Sequence, residues 1–387
     1  MNPATVAILL AFLVMGVADA MGPLSDAVKD HYKVSDTVAT LLPFFVFIAF
    51  AAFSIPGGLL AGRIGKKNLL LLGLGLNAAG MLVPSVVVPS FPVLLACIFT
   101  LGIGTTFLQV AGNPIMRDVS QPGKYSRNLA LAQGMKGVGS ASSSYLVSVT
   151  AVIGFLAAME WRAAFPIFFA LMLLAFIMVA MLKVDESKPD VPPSISSSLS
   201  LLKEPVFALA VLGIFLYVGA EASMGRFVKP ALVEHGFSTD DAAWYGPSMF
   251  FSLLTVGRLL GGAILSVVSP LTCLRGSALL GLIGAALFMF GSKWLALAGV
   301  VAGGLGFANI WPMLFSITVE HRPEKANELS GLMCMAISGG AIVPLIMGQL
   351  VDLKWGALAF VVPAACFAYL LMISLWPSKP TGNAAEA

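Results

Sequence analysis

Cut at its charged and turn-forming residues, the chain falls into twelve apolar stretches, and little is left over between them. The stretches run at 4–28, 37–61, 68–88, 92–116, 128–156, 162–182, 205–233, 243–268, 274–291, 295–319, 328–351 and 356–376. A helix rises about 1.5 Å per residue and a hydrocarbon core is about 30 Å thick, so about 20 apolar residues suffice for one crossing. Lipid offers the backbone no hydrogen bonds, so each stretch is expected to be a helix that satisfies its own. Only 11% of the 387 residues are charged and 58% are hydrophobic, with a mean hydropathy of +0.94. Soluble domains carry roughly a quarter charged residues. The expected fold class is therefore an all-α membrane protein with twelve transmembrane helices, with no room for a soluble catalytic domain.

The loops set the orientation, because Lys and Arg concentrate on the cytoplasmic side. With the N-terminus inside, thirteen basic residues fall on the inner side, among them Arg63, Lys66, Lys67 and Arg322, and six on the outer. Both termini are expected in the cytoplasm, and the protein in the cell inner membrane among lipid. The net charge of +3 is spread over the loops, so nucleic acid is not an expected partner. "ADA" before Met21 satisfies a small-x-small cleavage pattern, yet the segment lacks the basic n-region of a signal peptide. Cys97, Cys273, Cys334 and Cys366 are dispersed and read as small buried hydrophobes, while His31, His235 and His321 share no metal-like spacing. No metal and no cofactor are expected.

The one long polar stretch, "KVDESKPDVPPSISSSLSLLKEP" at 183–205, has the Pro, Ser and charge content of a flexible linker. It divides the helices six and six: a first bundle at 1–182, a linker at 183–204, a second bundle at 205–378 and a tail at 379–387. The bundles also resemble each other. "GVADAMG" at 16–22 matches "GAEASMG" at 219–225, and "GIG" at 102–104 before "QPGK" matches "GLG" at 304–306 before "RPEK", always with an offset near 202.

Six helices repeated about a linker resemble the plan of the major facilitator superfamily, whose substrate sites lie near the bilayer midplane between the halves. "GLLAGRIGKK" at 58–67 is similar to that superfamily's G-x-x-x-D-R-x-G-R-K signature, with Gly62 where the Asp is expected. That departure weakens the helix-capping and charge-relay role assigned to the loop. "YVGAEASMGRF" at 217–227, "VGRLLGG" at 256–262, "SGLMCMAISGGAIVPLIMGQLVD" at 330–352, "AGNP" at 111–114 and "NLALAQ" at 128–133 resemble the fucose:proton symporter family. The resemblance spans nearly the whole chain and implies two pseudo-symmetric six-helix halves that take up a sugar together with a proton.

Ionisable groups inside the membrane are costly unless paired or hydrated, so each is a functional candidate. Asp19 and Glu221 lie somewhat past the midplane at repeat-related positions, and a carboxylate that alternates between apolar and wet surroundings can carry a proton. Both are expected to serve proton coupling. Gln109 and Asn113 in the fourth segment have amides suited to sugar hydroxyls, and Pro114 frees a carbonyl near Val110 that can face a cavity. The resemblance leads one to expect a Glu at Gln109, which cannot titrate, and an acidic residue a turn later than Asp19. Any proton carrier is then Asp19, Glu221 or Asp26.

Lys136 stands about ten residues, or roughly 15 Å, inside the fifth segment. Either it neutralises Asp19 or Glu221, or it meets a carboxylate on the substrate, which would make the cargo a uronate or sialic acid. Arg226 is placed toward the outer mouth, where it could attract an anion. Arg258 reads mainly as a tie from the eighth segment to nearby carbonyls. Asn309, Trp311 and Pro312 echo the Asn-Pro of the fourth segment, and an indole offers a sugar ring an apolar face. The expected substrate-binding set is thus Gln109, Asn113, Lys136, Arg226, Asn309 and Trp311.

The function expected is import of a sugar or acidic sugar with protons by alternating access, in a monomer and without enzymatic activity. The alternatives are a carrier of a non-sugar organic anion and a symporter of neutral hexose or fucose. An exporter fits less well, since the fifth segment lacks the Gly-x-x-x-Gly-Pro run that resembles antiporters of the superfamily. A membrane enzyme would need clustered nucleophile, base or metal residues, and a receptor would need a soluble output segment. Neither is visible in the sequence.

Overall fold

The computed structural model describes all residues except 1–2, 18–20, 40, 151–153, 155–157, 187–192 and 376–387, and gives backbone alone at 3, 21–23, 25–26, 36–37 and 143–150. Asp19 and the side chain of Asp26 therefore lie outside the described residues. Everything regular among the described residues is helical: α1 (Pro3–Met15), α2 (Met21–Tyr32), α3 (Leu41–Ile64), α4 (Lys66–Val86), α5 (Phe91–Asp118), α6 (Tyr125–Thr150), α7 (Phe165–Met181), α8 (Ile195–Leu201), α9 (Pro205–Glu234), α10 (Met249–Ile264), α11 (Pro270–Phe290), α12 (Lys293–Ala308), α13 (Ile310–His321), α14 (Ala326–Met335), α15 (Gly339–Asp352) and α16 (Val361–Leu375).

Ten helical stretches among the described residues are long and apolar enough to cross a membrane, some of them running through a break, as at 293–321 and 323–352. The two remaining segments are special cases. In the first, α1 and α2 lie on either side of 18–20, which are outside the described residues; the fifth, α6, is long enough but diluted by Arg127, Lys136 and a run of serines. The stretch read as an irregular linker carries a short helix of its own, α8.

The chain forms two compact units. The first comprises 1–122 and 135–195 with 330–335 from α14; the second comprises 123–134, 196–329 and 336–387. In the first unit, small residues let helices close on one another. A Cβ on Gly139 of α6 would run into the Leu13 carbonyl of α1, and one on Gly104 of α5 would run into Asn77 of α4. Asn77 is fully buried and donates to Thr105 Oγ1 at 3.2 Å, so its polarity is matched across the same contact.

The signature loop ends at Gly65, whose φ of 93° falls in the left-handed region open to glycine. Glu186, beyond α7, accepts the backbone N–H groups of Lys66 and Lys67, the latter at 2.9 Å. The free donors at the start of α4 thus receive a carboxylate, although Gly62 supplies none. Lys66 itself, 2% exposed, pairs with Asp118 at the end of α5.

Three breaks in the helical path follow in the second half of the sequence. A π turn at Trp244–Ser248 precedes α10, Asn309 separates α12 from α13, and a 3-10 turn at Ala336–Ser338 separates α14 from α15. Side chains tie the ends. Arg275 donates twice to the Ser374 carbonyl, at 3.0 and 2.9 Å, Tyr369 donates to the Leu209 carbonyl at 2.9 Å, and Ser126 donates to Ser316 Oγ at 2.8 Å.

Candidate functional site

Each unit has a buried polar cluster whose place a proline explains. In the second unit Pro312 has no N–H, so the Ala308 carbonyl four residues earlier loses its helical donor, and the helix breaks at Asn309. Arg258 of α10 fills the vacancy, its Nε donating to Ala308 O at 3.2 Å. Its Nη2 donates to the Tyr217 hydroxyl at 2.8 Å and to Glu221 Oε2 at 3.4 Å, both from α9. The expected tie to carbonyls is present, and it ends on a carboxylate as well.

Asn309 donates through Nδ2 to the Gly257 carbonyl at 3.0 Å, one residue before Arg258. Its Oδ1 rests against Gly261, where any Cβ would strike it. The Nδ2 of this amide thus holds α10 to the broken turn, while its buried Oδ1 has no hydrogen-bond donor. Trp311, next along α13, is 3% exposed and its Nε1 has no hydrogen-bond partner. A buried indole N–H without an acceptor is uncommon in a folded protein.

In the first unit Pro114 has the same effect on α5. It strands the Val110 carbonyl, expected above to face a cavity, but the structure fills that place: Ser330 Oγ of α14 donates to it at 2.8 Å. One turn along α14, Cys334 lies 3.9 Å from Asn113 Nδ2 and 4.0 Å from Ser330 Oγ. Lys136 of α6 is within electrostatic reach of the same thiol, so Asn113, Cys334 and Lys136 share one neighbourhood. Among the described residues no carboxylate stands within ion-pair distance of Lys136. Gln109, one turn before Asn113, is 2% exposed and its Oε1 has no hydrogen-bond donor, and Ser54 Oγ of α3 is likewise buried and unpartnered.

The Major Facilitator Superfamily profile matches residues 6–344 of this chain. The chain belongs to that superfamily. A glucose/galactose transporter of Brucella abortus is 30% identical over 365 residues, covering 91% of this superfamily member and 88% of the relative. An L-fucose-proton symporter of Escherichia coli is 22% identical over 387 residues, covering 92% and 88%. Among solved structures, FucP in the outward conformation superposes with a TM-score of 0.85 at 21% identity, over 98% of this chain and all of FucP. The fold is that of a twelve-helix Major Facilitator Superfamily transporter, and the protein is not an enzyme.

Within this superfamily member the sequence-derived candidates divide. Gln109, Asn113 and Lys136 sit in the first unit's cluster, while Glu221, Asn309 and Trp311 sit in the second's. Arg226 stands apart: it is exposed, with its guanidinium 5.6 Å from the Phe227 ring centroid. Asp19 lies outside the described residues. Sequence reasoning missed Ser330, Cys334 and Tyr217. The signal for Ser330 was available, because a proline inside a membrane helix strands a carbonyl that some neighbouring hydroxyl has to satisfy.

Proposed function

We propose that the protein imports a sugar of the hexose class together with protons by alternating access, across the cell inner membrane and with both termini in the cytoplasm. The observation that carries this reading is the buried, unpartnered Gln109 Oε1 one turn from Asn113. A buried amide oxygen without a donor costs about 1–3 kcal/mol, and a sugar hydroxyl removes that penalty. In the second unit, considered by itself, the unpartnered Trp311 indole has an N–H that suits a sugar oxygen and a flat apolar face that suits a ring. The named activities of the glucose/galactose and L-fucose-proton relatives support a sugar as cargo and a proton as driving ion.

Gln109 cannot titrate, so the proton falls to Glu221 and Asp19. Glu221 has a suitable setting, with a side chain that is 22% exposed and a cation beside it. A second reading, an acidic sugar, draws on Lys136: a cation inside a membrane helix with no carboxylate near it among the described residues suits a substrate anion. The test is uptake of radiolabelled D-galactose and D-glucose into proteoliposomes, with L-fucose, D-glucuronate and sialic acid competing, with and without an inward proton gradient. Gradient-driven accumulation of neutral hexose supports the first reading, and competition by the acids alone supports the second. Glu221→Gln and Asp19→Asn should each abolish accumulation while counterflow exchange persists. Full accumulation by either variant removes that residue from proton coupling.

A further inference from the structure

The second unit has a cavity at the end where α9 and α11 begin and α13 and α16 finish. It measures about 70 Å³, and its walls include Val206 and Ala210 of α9, Leu274 of α11, Ile317 and His321 of α13, and Ser374 of α16. Its floor is the contact at Gly213 of α9, where any Cβ would press on Leu314 of α13 and on Ile373 and Leu370 of α16. The helices thus meet closely at Gly213 and leave a gap nearer their ends. From Val206 to Gly213 the gap runs along roughly 10 Å of helix, so its small volume suits a slender chain. The polar groups in its walls are turned back onto α13: Thr318 Oγ1 donates to the Leu314 carbonyl at 2.6 Å, and His321 Nδ1 to the Ile317 carbonyl at 2.8 Å. What remains facing the gap is apolar.

A cation without a counter-charge borders this cavity. Arg275, next to Leu274 on α11, donates from Nε and Nη2 to the carbonyl of Ser374, in the last turn of α16. Both bonds converge on one oxygen, so they occupy one edge of the guanidinium and fix its plane. The other edge, formed by the two N–H groups of Nη1 and the second of Nη2, makes no bond to the protein among the described residues. No carboxylate among the described residues stands within ion-pair distance of it either. Arg322, after His321, differs on this point: it pairs with Glu204 at 2.8 Å, and its guanidinium lies 5.7 Å from the Phe207 ring centroid. The other carboxylates near the end of α13, Glu320 and Glu324, are exposed.

We propose that this cavity takes the upper part of one acyl chain of a glycerophospholipid of net negative charge, whose phosphodiester sits on the free edge of Arg275. The two contacts fall in the order that a lipid requires. Its phosphate lies at the level of the helix ends and its chains run toward the midplane; here the guanidinium is fastened to the last turn of α16, and the gap runs inward to Gly213. A guanidinium edge matches two phosphate oxygens at once. A cation that no protein carboxylate neutralises favours a lipid with net charge, because a zwitterionic headgroup brings a cation of its own. Under the orientation proposed above this is the cytoplasmic leaflet, but the binding itself does not depend on orientation. The bound chain supplies the packing between α9, α11, α13 and α16 that their side chains leave unfilled.

The test is native mass spectrometry of the purified full-length protein in detergent, with phosphatidylglycerol or phosphatidylcholine of the same chains added in equal amounts. The wild type should retain phosphatidylglycerol about tenfold better than phosphatidylcholine, the ratio that one charge-assisted bond supplies. Arg275→Gln should bring the ratio near one, and Arg275→Lys, which keeps the charge without the fork, should fall between. Val206→Phe, which puts a ring in the cavity and leaves Arg275 in place, should lower retention of phosphatidylglycerol by about tenfold, the worth of roughly two buried methylenes. Phosphatidylglycerol with a photoactivatable diazirine in its acyl chain should label peptides containing 206–213, 314–321 or 371–374 in the wild type and lose that labelling in Val206→Phe. A wild-type ratio in Arg275→Gln, or labelling spread evenly over all the helices, overturns the proposal. Retention of sn-glycerol 3-phosphate as strong as that of the lipid also overturns it, since a site for phosphate alone makes no use of the cavity. If Arg275→Gln fails to fold, Val206→Phe decides: unchanged retention and labelling in that variant overturn the proposal.

Discussion

Ser330→Ala tests whether the proline of α5 and the hydroxyl of α14 form one unit. The Val110 carbonyl has no helical donor because residue 114 is proline, and Ser330 Oγ supplies one at 2.8 Å with Ser330 and Val110 both fully buried. Removing the hydroxyl strands the carbonyl in an apolar setting, which costs about 1–3 kcal/mol. Pro114→Ala restores an N–H four residues after Val110, so in that background the hydroxyl becomes redundant. The expected interaction energy of the double-mutant cycle is about 1–2 kcal/mol, independent of the helix-propensity gain that Pro114→Ala brings by itself. All four cysteines are buried, so a dye that fluoresces on reaction with thiols reports thermal unfolding in detergent. Ser330→Ala should lower the apparent Tm by roughly 2–4 °C in the parent and by less than half of that in Pro114→Ala. An equal loss in both backgrounds would show that Ser330 stabilises α14 by some other route, and the account of the stranded carbonyl would be wrong.

Lys66→Met should destabilise the protein by about 3–5 kcal/mol, because it leaves Asp118 buried without its cation, and Lys66→Met combined with Asp118→Leu should recover most of the loss in the same unfolding assay. Gln109→Ala and Asn113→Ala should each weaken hexose binding by roughly tenfold or more, measured by competition in proteoliposomes; unchanged affinity in both would take α5 out of the site. Lys136→Gln should leave neutral hexose affinity within about twofold while weakening any acidic sugar by about 2 kcal/mol, and a protein that ignores uronates and sialic acids in both forms would decide against the anionic cargo.

The helical architecture was legible because bilayer thickness imposes a single length scale on every segment, and hydropathy reads that scale directly. The breaks were less legible. Residues 328–351 and 295–319 look continuous in composition, yet the first carries the 3-10 turn at Ala336–Ser338 and the second is interrupted at Asn309. In the second case the cause is local, since Pro312 withdraws one hydrogen bond and Arg258 replaces it. Polar candidates were legible as residue types, because an amide or a charge in a membrane helix stands out against its neighbours. Their partners were not, because partnership depends on which helices meet. Asn309 looked like a ligand-binding amide; its Nδ2 is engaged with Gly257 and its Oδ1 is buried without a hydrogen-bond donor. Arg258 looked mainly like a tie between helices and reaches Glu221. Cys334 read as a small hydrophobe, and burial bears that out, but its neighbours Asn113 and Ser330 are polar.

The signature loop shows why a departure from a motif need not remove the function behind it. What the start of α4 requires is negative charge near its free N–H groups, since the first turn of any helix has donors without partners. An Asp at position 62 would bring that charge from the preceding helix, and Gly62 cannot. Glu186 brings it from the chain beyond α7, bonding the N–H groups of both Lys66 and Lys67, while Lys67 Nζ in turn donates to the Ala180 and Leu182 carbonyls at 2.9 and 2.6 Å. The two ends are fastened reciprocally, the helix start by a carboxylate and the end of α7 by an ammonium. Residues 183–186, which composition assigns to a flexible linker, are thereby part of the folded unit. A chain that loses the carboxylate at one position can keep the helix start intact provided another segment passes within a side chain's length of it.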